Sequence, residues 1–197
     1  MAKQLTTILL TLCMTLCVVA QKPVADRDAV LTRIEAAITP QAGKSIKYDF
    51  TQTKHSPLLA QDAVSHGNVT LTGEHYLRWH YTDPRNHAFI IDRDSIYAET
   101  DGKSHSLAGP AGTIMRNMTN TMMSLTNAGT LANEKVFSVE LTEDASVYHA
   151  TLTPKRRDMR RMMQQLLVDF DKKSCRVLKV KLIEKHNSYT IIEFHAK

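Results

Sequence analysis

Hydrophobic positions along this chain recur in two periods, and the switches between them mark its elements. From Asp26 to Ile38 apolar Ala29, Val30, Ile34, Ala37 and Ile38 return at helical spacing. Asp26 or Asp28 can cap the start and Pro40 follows the end, which predicts an amphipathic first helix. From Lys44 onward the period falls to two. Ile46, Tyr48 and Phe50 alternate with Lys47, Asp49 and Thr51, the pattern of a half-buried strand. Val69 and Leu71, then Leu77, Trp79 and Tyr81, mark single faces of two further strands joined at Gly73-Glu74 and stopped by Asp83-Pro84. Short strands follow at Ala88–Ile91, Ser95–Glu99 and Lys103–Leu107, with Asp101-Gly102 as a hairpin turn. The alternation pauses between Pro110 and Thr126. There Ile114, Met115, Met118, Met122 and Leu125 form one apolar helical face, ended by Asn127-Ala128-Gly129. Strands resume at Val136–Leu141, Val147–Leu152, Leu166–Phe170, Val177–Glu184 and Tyr189–Phe194, with a basic, briefly helical segment at Pro154–Met163.

Ten to eleven short strands separated by tight turns, with two helices, predict a mainly β, α+β fold. The expected form is a strongly curved antiparallel sheet whose concave hydrophobic face is covered by helices. No linker-like tract divides residues 21–197, which read as a single domain.

The first twenty residues stand apart. Lys3 precedes an apolar run from Leu5 to Ala20, too short for a membrane span and ending in small or apolar residues, as a cleaved signal peptide does. Export from the cytoplasm is expected. Leu12 and Leu16 precede Cys13 and Cys17 where a lipoprotein signal needs a small residue, which argues against lipid attachment. Cleavage after Ala20 leaves Cys175 as the one thiol, so the core must stabilise the domain without a disulfide. The net charge of +5 is mild and dispersed; it favours anionic surfaces but does not support nucleic-acid binding.

Candidate chemistry is sparse. The chain has no G-x-S-x-G, H-E-x-x-H or Gly-rich phosphate loop, and its carboxylates are scattered. Cys175 reads as a quiet structural thiol. His75 and His80, five apart in a strand, point to opposite faces, and His55, His66, His87 and His105 fall in or near turns; surface histidines are expected, not metal ligands. No catalytic residue, metal or cofactor is predicted. The methionine stripe reads equally as a core-facing helix or as a lid over an apolar cavity, because Met packs against partners of varying shape. Lys155, Arg156, Arg157, Arg160 and Arg161 form a basic run that reads first as a solvated face and second as a dock for headgroups or an acidic partner.

Taken in order, several segments resemble the LolA-type periplasmic carriers of outer-membrane lipoproteins. Tyr48-Asp49-Phe50-Thr51-Gln52-Thr53 is similar to the family's F-x-Q strand, and Leu77-Arg78-Trp79-His80-Tyr81-Thr82-Asp83-Pro84 to its R-W-x-Y-x-x-P signature. Phe89-Ile90-Ile91-Asp92, Thr151-Leu152-Thr153-Pro154 and the closing hairpin through Phe194 match further elements. Departures are Gly73 where members often carry an Arg, Arg93-Asp94 where D-G is usual, and the lack of a Gly in the last hairpin. The resemblance implies an incomplete antiparallel β-barrel with a helical lid and a hydrophobic cavity for lipoprotein acyl chains. It also implies a loading complex in the inner membrane and an acceptor at the outer membrane.

On this reading Phe50, Leu71, Trp79, Tyr81, Phe89 and Ile91 are expected in the cavity wall, and Ile114, Met115, Met118, Met122 and Leu125 in the cover. A monomer is expected. The alternatives are a carrier for another amphiphile, such as a polyene, pigment or glycolipid precursor, and a secreted enzyme.

Overall fold

The computed structural model describes residues 21–41, 44–73, 76–93, 95–107 and 135–196. Helix α1 (Arg27–Ile38) starts where Asp26, held in extended geometry, accepts a 3.0 Å hydrogen bond from the Ala29 N–H. It ends at Thr39, whose N–H still donates to the Glu35 carbonyl. The buried stripe is Val30, Leu31, Ile34 and Ile38. Ala29, expected in that stripe, is exposed and Leu31 is buried instead, because the sheet meets the helix on a slightly rotated face.

The strands are β1 (Lys22–Pro23), β2 (Ser45–His55), β3 (Ala63–Thr72), β4 (Tyr76–Asp83), β5 (His87–Asp92) and β6 (Ser95–Thr100). They continue as β7 (Lys103–Ser106), β8 (Phe137–Glu143), β9 (Val147–Pro154), β10 (Gln165–Asp171), β11 (Val177–Ile183) and β12 (Tyr189–Ala196). A six-residue helix, α2 (Arg157–Met162), connects β9 to β10. All twelve strands form one antiparallel sheet in the order β1-β8-β9-β10-β11-β12-β2-β3-β4-β5-β6-β7. The sheet does not close: β1 and β7 are its two ends, which makes it an incomplete barrel. The expected strands are all present. The addition is β1, two residues too short to show a period, held to β8 by pairing and by a Lys22–Glu143 ion pair of 3.3 Å.

Period-two alternation through this register sends one set of side chains to a common inner face, which divides into two apolar clusters. In the first, α1 lies over β8–β11 and packs on Phe137, Leu152, Leu166, Val168 and Phe170, none more than 2% exposed. The second is built on β2–β6 and β12, and among the described residues no helix contributes to it. Phe194 packs against both clusters and joins them.

The outer face is polar. His149, on β9, lies between Asp169 across the ladder (Nδ1 to Oδ1, 2.8 Å) and Asp144 in the β8–β9 turn (Nε2 to Oδ2, 3.2 Å), and Lys179 stands 3.6 Å from Asp169. The Asp144 carboxylate also accepts the Ser146 and Val147 N–H groups at 2.7 Å each. These backbone donors, then His149, hold its pKa at about 2, below the ordinary 3.8. A carboxylate depressed in the folded state stabilises the protein above its unfolded pKa, and that contribution fades as pH falls through the folded value. Asp144 thus steepens acid destabilisation between about pH 4 and pH 2. Urea unfolding across that window should show a shallower pH dependence in Asp144→Ala than in the parent.

Gly67 marks a close approach. It pairs with Phe50, whose ring lies on its backbone, and a Cβ there would sit 2.6 Å from Phe50 Cζ and overlap the His80 carbonyl oxygen. Gly67→Ala is expected to cost about 1–3 kcal/mol as an overpacked site, read as a lower denaturant midpoint.

Candidate functional site

The second cluster is assembled from three cross-strand ladders. One runs Phe194–Phe50–Gly67–Tyr81–His87, from β12 to β5. The next runs Tyr48–Val69–Trp79–Phe89, and the third Ile46–Leu71–Leu77–Ile91–Ile96. Each ladder is set by alternation along a strand, so residues two apart in sequence occupy successive ladders on one face. The rings pack at angles. Phe50 and Trp79 have centroids 4.8 Å apart, Phe50 meets Tyr81 edge-on at 5.3 Å, and Trp79 meets Phe194 edge-on at 6.1 Å. Tyr81 stacks on His87 at 4.7 Å.

All six residues expected in a cavity wall meet in this cluster. Phe50, Leu71, Trp79 and Ile91 are buried within it, and Tyr81 and Phe89 are partly buried against it. Tyr48 and Phe194 belong with them but were not singled out from the sequence. Tyr48 is in phase with Phe50, which is a usable signal. Phe194 joins only through the pairing of β12 with β2, which no local pattern encodes. Ile114, Met115, Met118, Met122 and Leu125 lie outside the described residues.

Few polar atoms enter this face. The Tyr81 hydroxyl donates to Gln52 Oε1 at 2.9 Å. The Tyr48 hydroxyl and Trp79 Nε1 are buried and make no hydrogen bond of acceptable geometry among the described residues. Trp79 Nε1–H still lies near enough to the Tyr81 oxygen to lower that group's pKa. Burial outweighs this and the Gln52 contact, and pushes the Tyr81 hydroxyl above its ordinary 10.0. Burial likewise raises Tyr48, against the pull of the Arg176 charge. A predominantly apolar face with a few placed donors suits a ligand that is itself mostly hydrocarbon.

The basic residues lie elsewhere. Lys155 and Arg156 precede α2 and Arg157, Arg160 and Arg161 lie in it, all five exposed at one end of the sheet. Cys175 is buried in the connection between β10 and β11, consistent with a structural thiol. The outer-face triad of Asp144, His149 and Asp169 went unnoticed in the sequence, where its carboxylates appear only as scattered acids. No group of His, Cys, Asp or Glu among the described residues has the arrangement of a metal site.

The family model for the outer membrane lipoprotein carrier protein LolA matches residues 41–196, most of the chain and nearly all of the sheet. The chain belongs to the LolA family. Members of that family are carrier or binding proteins, not enzymes. No curated protein sequence matches this LolA-family chain.

Solved structures of similar shape include a LolA superfamily protein from Nitrosomonas europaea, 11% identical, with a TM-score of 0.44 over 87% of this chain and 92% of that one. The lipoprotein LppX of Mycobacterium tuberculosis is 9% identical, with a TM-score of 0.43 over 86% of this chain and 95% of that one. MucB in the MucA/MucB complex of Pseudomonas aeruginosa is 11% identical, with a TM-score of 0.42 over 84% of this chain and 54% of that one. At these identities they assign no ligand or partner to the LolA-family chain. No helix among its described residues is long and apolar enough to cross a membrane.

Because Tyr48 and Tyr81 ionise later in the folded protein than in the unfolded chain, their contribution to stability is intact below pH 10 and is lost as pH rises through their folded values. Ultraviolet titration should show phenols ionising above pH 10, with one late group missing in Tyr81→Phe. That substitution also leaves Gln52 Oε1 without its donor and should cost about 1 kcal/mol.

Proposed function

We propose that the protein is a periplasmic carrier for the acyl chains of lipoproteins, exported by cleavage of residues 1–20. On this reading it takes its cargo from a releasing complex in the inner membrane and yields it to an acceptor at the outer membrane. The observation that supports this best is the aromatic face on β2–β6, three ladders deep, in a chain of a carrier family. An acyl chain in water costs about 0.8 kcal/mol per methylene, and a continuous apolar face offsets that cost without covalent attachment. Flat rings packed edge-on also leave a surface against which a chain of variable length can lie. The unpartnered donors of Tyr48 and Trp79 suit an ester or amide carbonyl at the head of such a chain.

The methionine-rich segment is the sequence's own choice for the cover of this face, since unbranched Met side chains adapt to cargo and to its absence. Under this proposal the wall and the cover form one binding site, with Phe89 and Tyr81 at its partly exposed margin.

Mass spectrometry of lipids co-purifying with the protein from its native periplasm should reveal lipoprotein acyl chains. A polyene, pigment or glycolipid precursor in their place would reassign the cargo and overturn the lipoprotein reading. The single tryptophan, Trp79, reports directly on the site, so its emission should shift on addition of an acylated peptide. Met118→Asp with Met122→Asp should abolish that shift in a protein that still unfolds cooperatively.

A further inference from the structure

Strands β9, β11, β2, β4 and β6 all finish at one end of the sheet, and their connections form a common rim. The segment 56–62, between β2 and β3, presents apolar side chains to solvent there. Leu58 is 95% exposed and Leu59 44%, with Val64 at 47% just beyond. One exposed leucine is ordinary on a protein surface. Here the exposure is built in. The Ser56 carbonyl accepts from the Leu59 N–H at 2.9 Å, and the Ser56 hydroxyl lies 3.4 Å from the Leu58 N–H, which fixes the turn with Leu58 outward. The base of the loop is clamped by His55 Nδ1 against Asp62 Oδ1 at 2.6 Å. His55 in turn stacks on Tyr189, and Lys181 lies over the other ring at 4.6 Å.

Cations flank the loop: Lys185 stands beside Glu184 in the next connection, and the basic excess lies farther along, in α2. Residues 184–188, between β11 and β12, carry Lys185 and His186 and touch the apolar loop through Ser188 Oγ and Ser56 Oγ at 3.4 Å. On their other side the Gln164 N–H donates to the Ile183 carbonyl at 2.7 Å, which joins the rim to α2. There Arg157, Arg160 and Arg161 are exposed beside Met162, itself 39% exposed. Strand spacing puts α2 and the apolar loop about 20 Å apart along the rim. Apolar tips flanked by exposed cations are what an interface between headgroups and acyl chains favours, whereas an acidic protein partner would need the cations but not the leucines.

We infer that this rim docks on an anionic lipid bilayer, with Leu58 and Leu59 entering the headgroup boundary and Arg157, Arg160, Arg161 and Lys185 meeting lipid phosphates. The inference goes beyond the carrier reading and uses no residue of the apolar face. It does orient that face: of the three ladders, Phe50–Gly67–Tyr81–His87 lies nearest the docked end.

Co-sedimentation with vesicles tests it, using the protein purified as the cell leaves it. Binding is expected to phosphatidylcholine vesicles containing phosphatidylglycerol, to be absent with phosphatidylcholine alone, and to weaken with salt. Leu58→Asp should weaken binding at least about tenfold, and Arg160→Glu with Arg161→Glu at least about 30-fold, both with unchanged circular dichroism. No binding to anionic vesicles, equal binding to both kinds, or full binding by Leu58→Asp overturns the inference. Capture of an acidic protein that depends on the arginines but not on Leu58, with vesicles left unbound, overturns it in favour of a protein dock.

Discussion

The pleat of an unbroken antiparallel sheet is the constraint on which this molecule rests. Side chains alternate between two faces along the strands, and the register of eleven strand pairs carries that alternation across the full width, adjusted by bulges at His66/Gly67 and Asp169/Phe170. Most large apolar side chains therefore accumulate on one side, and the charged ladder Asp144–His149–Asp169–Lys179 lies on the other. A sheet of this width cannot leave its apolar side to water. It curves, and something must lie against the inner face.

The two halves of that face meet the requirement differently. Under α1 the core is fully packed, with Ile34, Leu152, Val168 and Phe170 sealed at 0% exposure. The half on β2–β6 is rich in rings and draws on no helix among the described residues. Phe194 sits where the halves join, in edge-on contact with Tyr48 and Trp79. Gly67 contributes by what it lacks, since its bare backbone lets Phe50 approach and turn toward Trp79 and Tyr81. A solid half and an aromatic half on one sheet give a rigid frame on which a hydrocarbon ligand could be held by area alone.

Holding a ligand and choosing a surface are different physical tasks, and the molecule separates them. Hydrophobic burial is proportional to contact area and acts only once the surfaces touch. Charge acts further, over a Debye length of about 8 Å at physiological salt, but weakly per contact. The aromatic ladders lie on the inner face, whereas Arg157, Arg160 and Arg161 are exposed at the rim. Separation allows either to change without disturbing the other.

Local pattern alone determined much of this. The helix with its Asp26 cap, eleven of the strands, and the common face of Phe50, Leu71, Trp79, Tyr81, Phe89 and Ile91 all follow from periods of 3.6 and two, because each is set within a few residues. Family-level features were legible too, in the ordered motifs around Trp79 and Phe50. What the chain pattern does not hold is which strand neighbours which. The pairing of β12 with β2 brings Phe194 to Phe50, that of β9 with β10 brings His149 to Asp169, and the ends of β2 and β11 bring Ser56 to Ser188. Each joins segments separated along the chain, with no local signal for the match. The exposure of Leu58 and the exchange of Ala29 for Leu31 in the helix stripe are likewise settled by what packs against them. Composition and period choose the faces; only the strand register decides which residues share them.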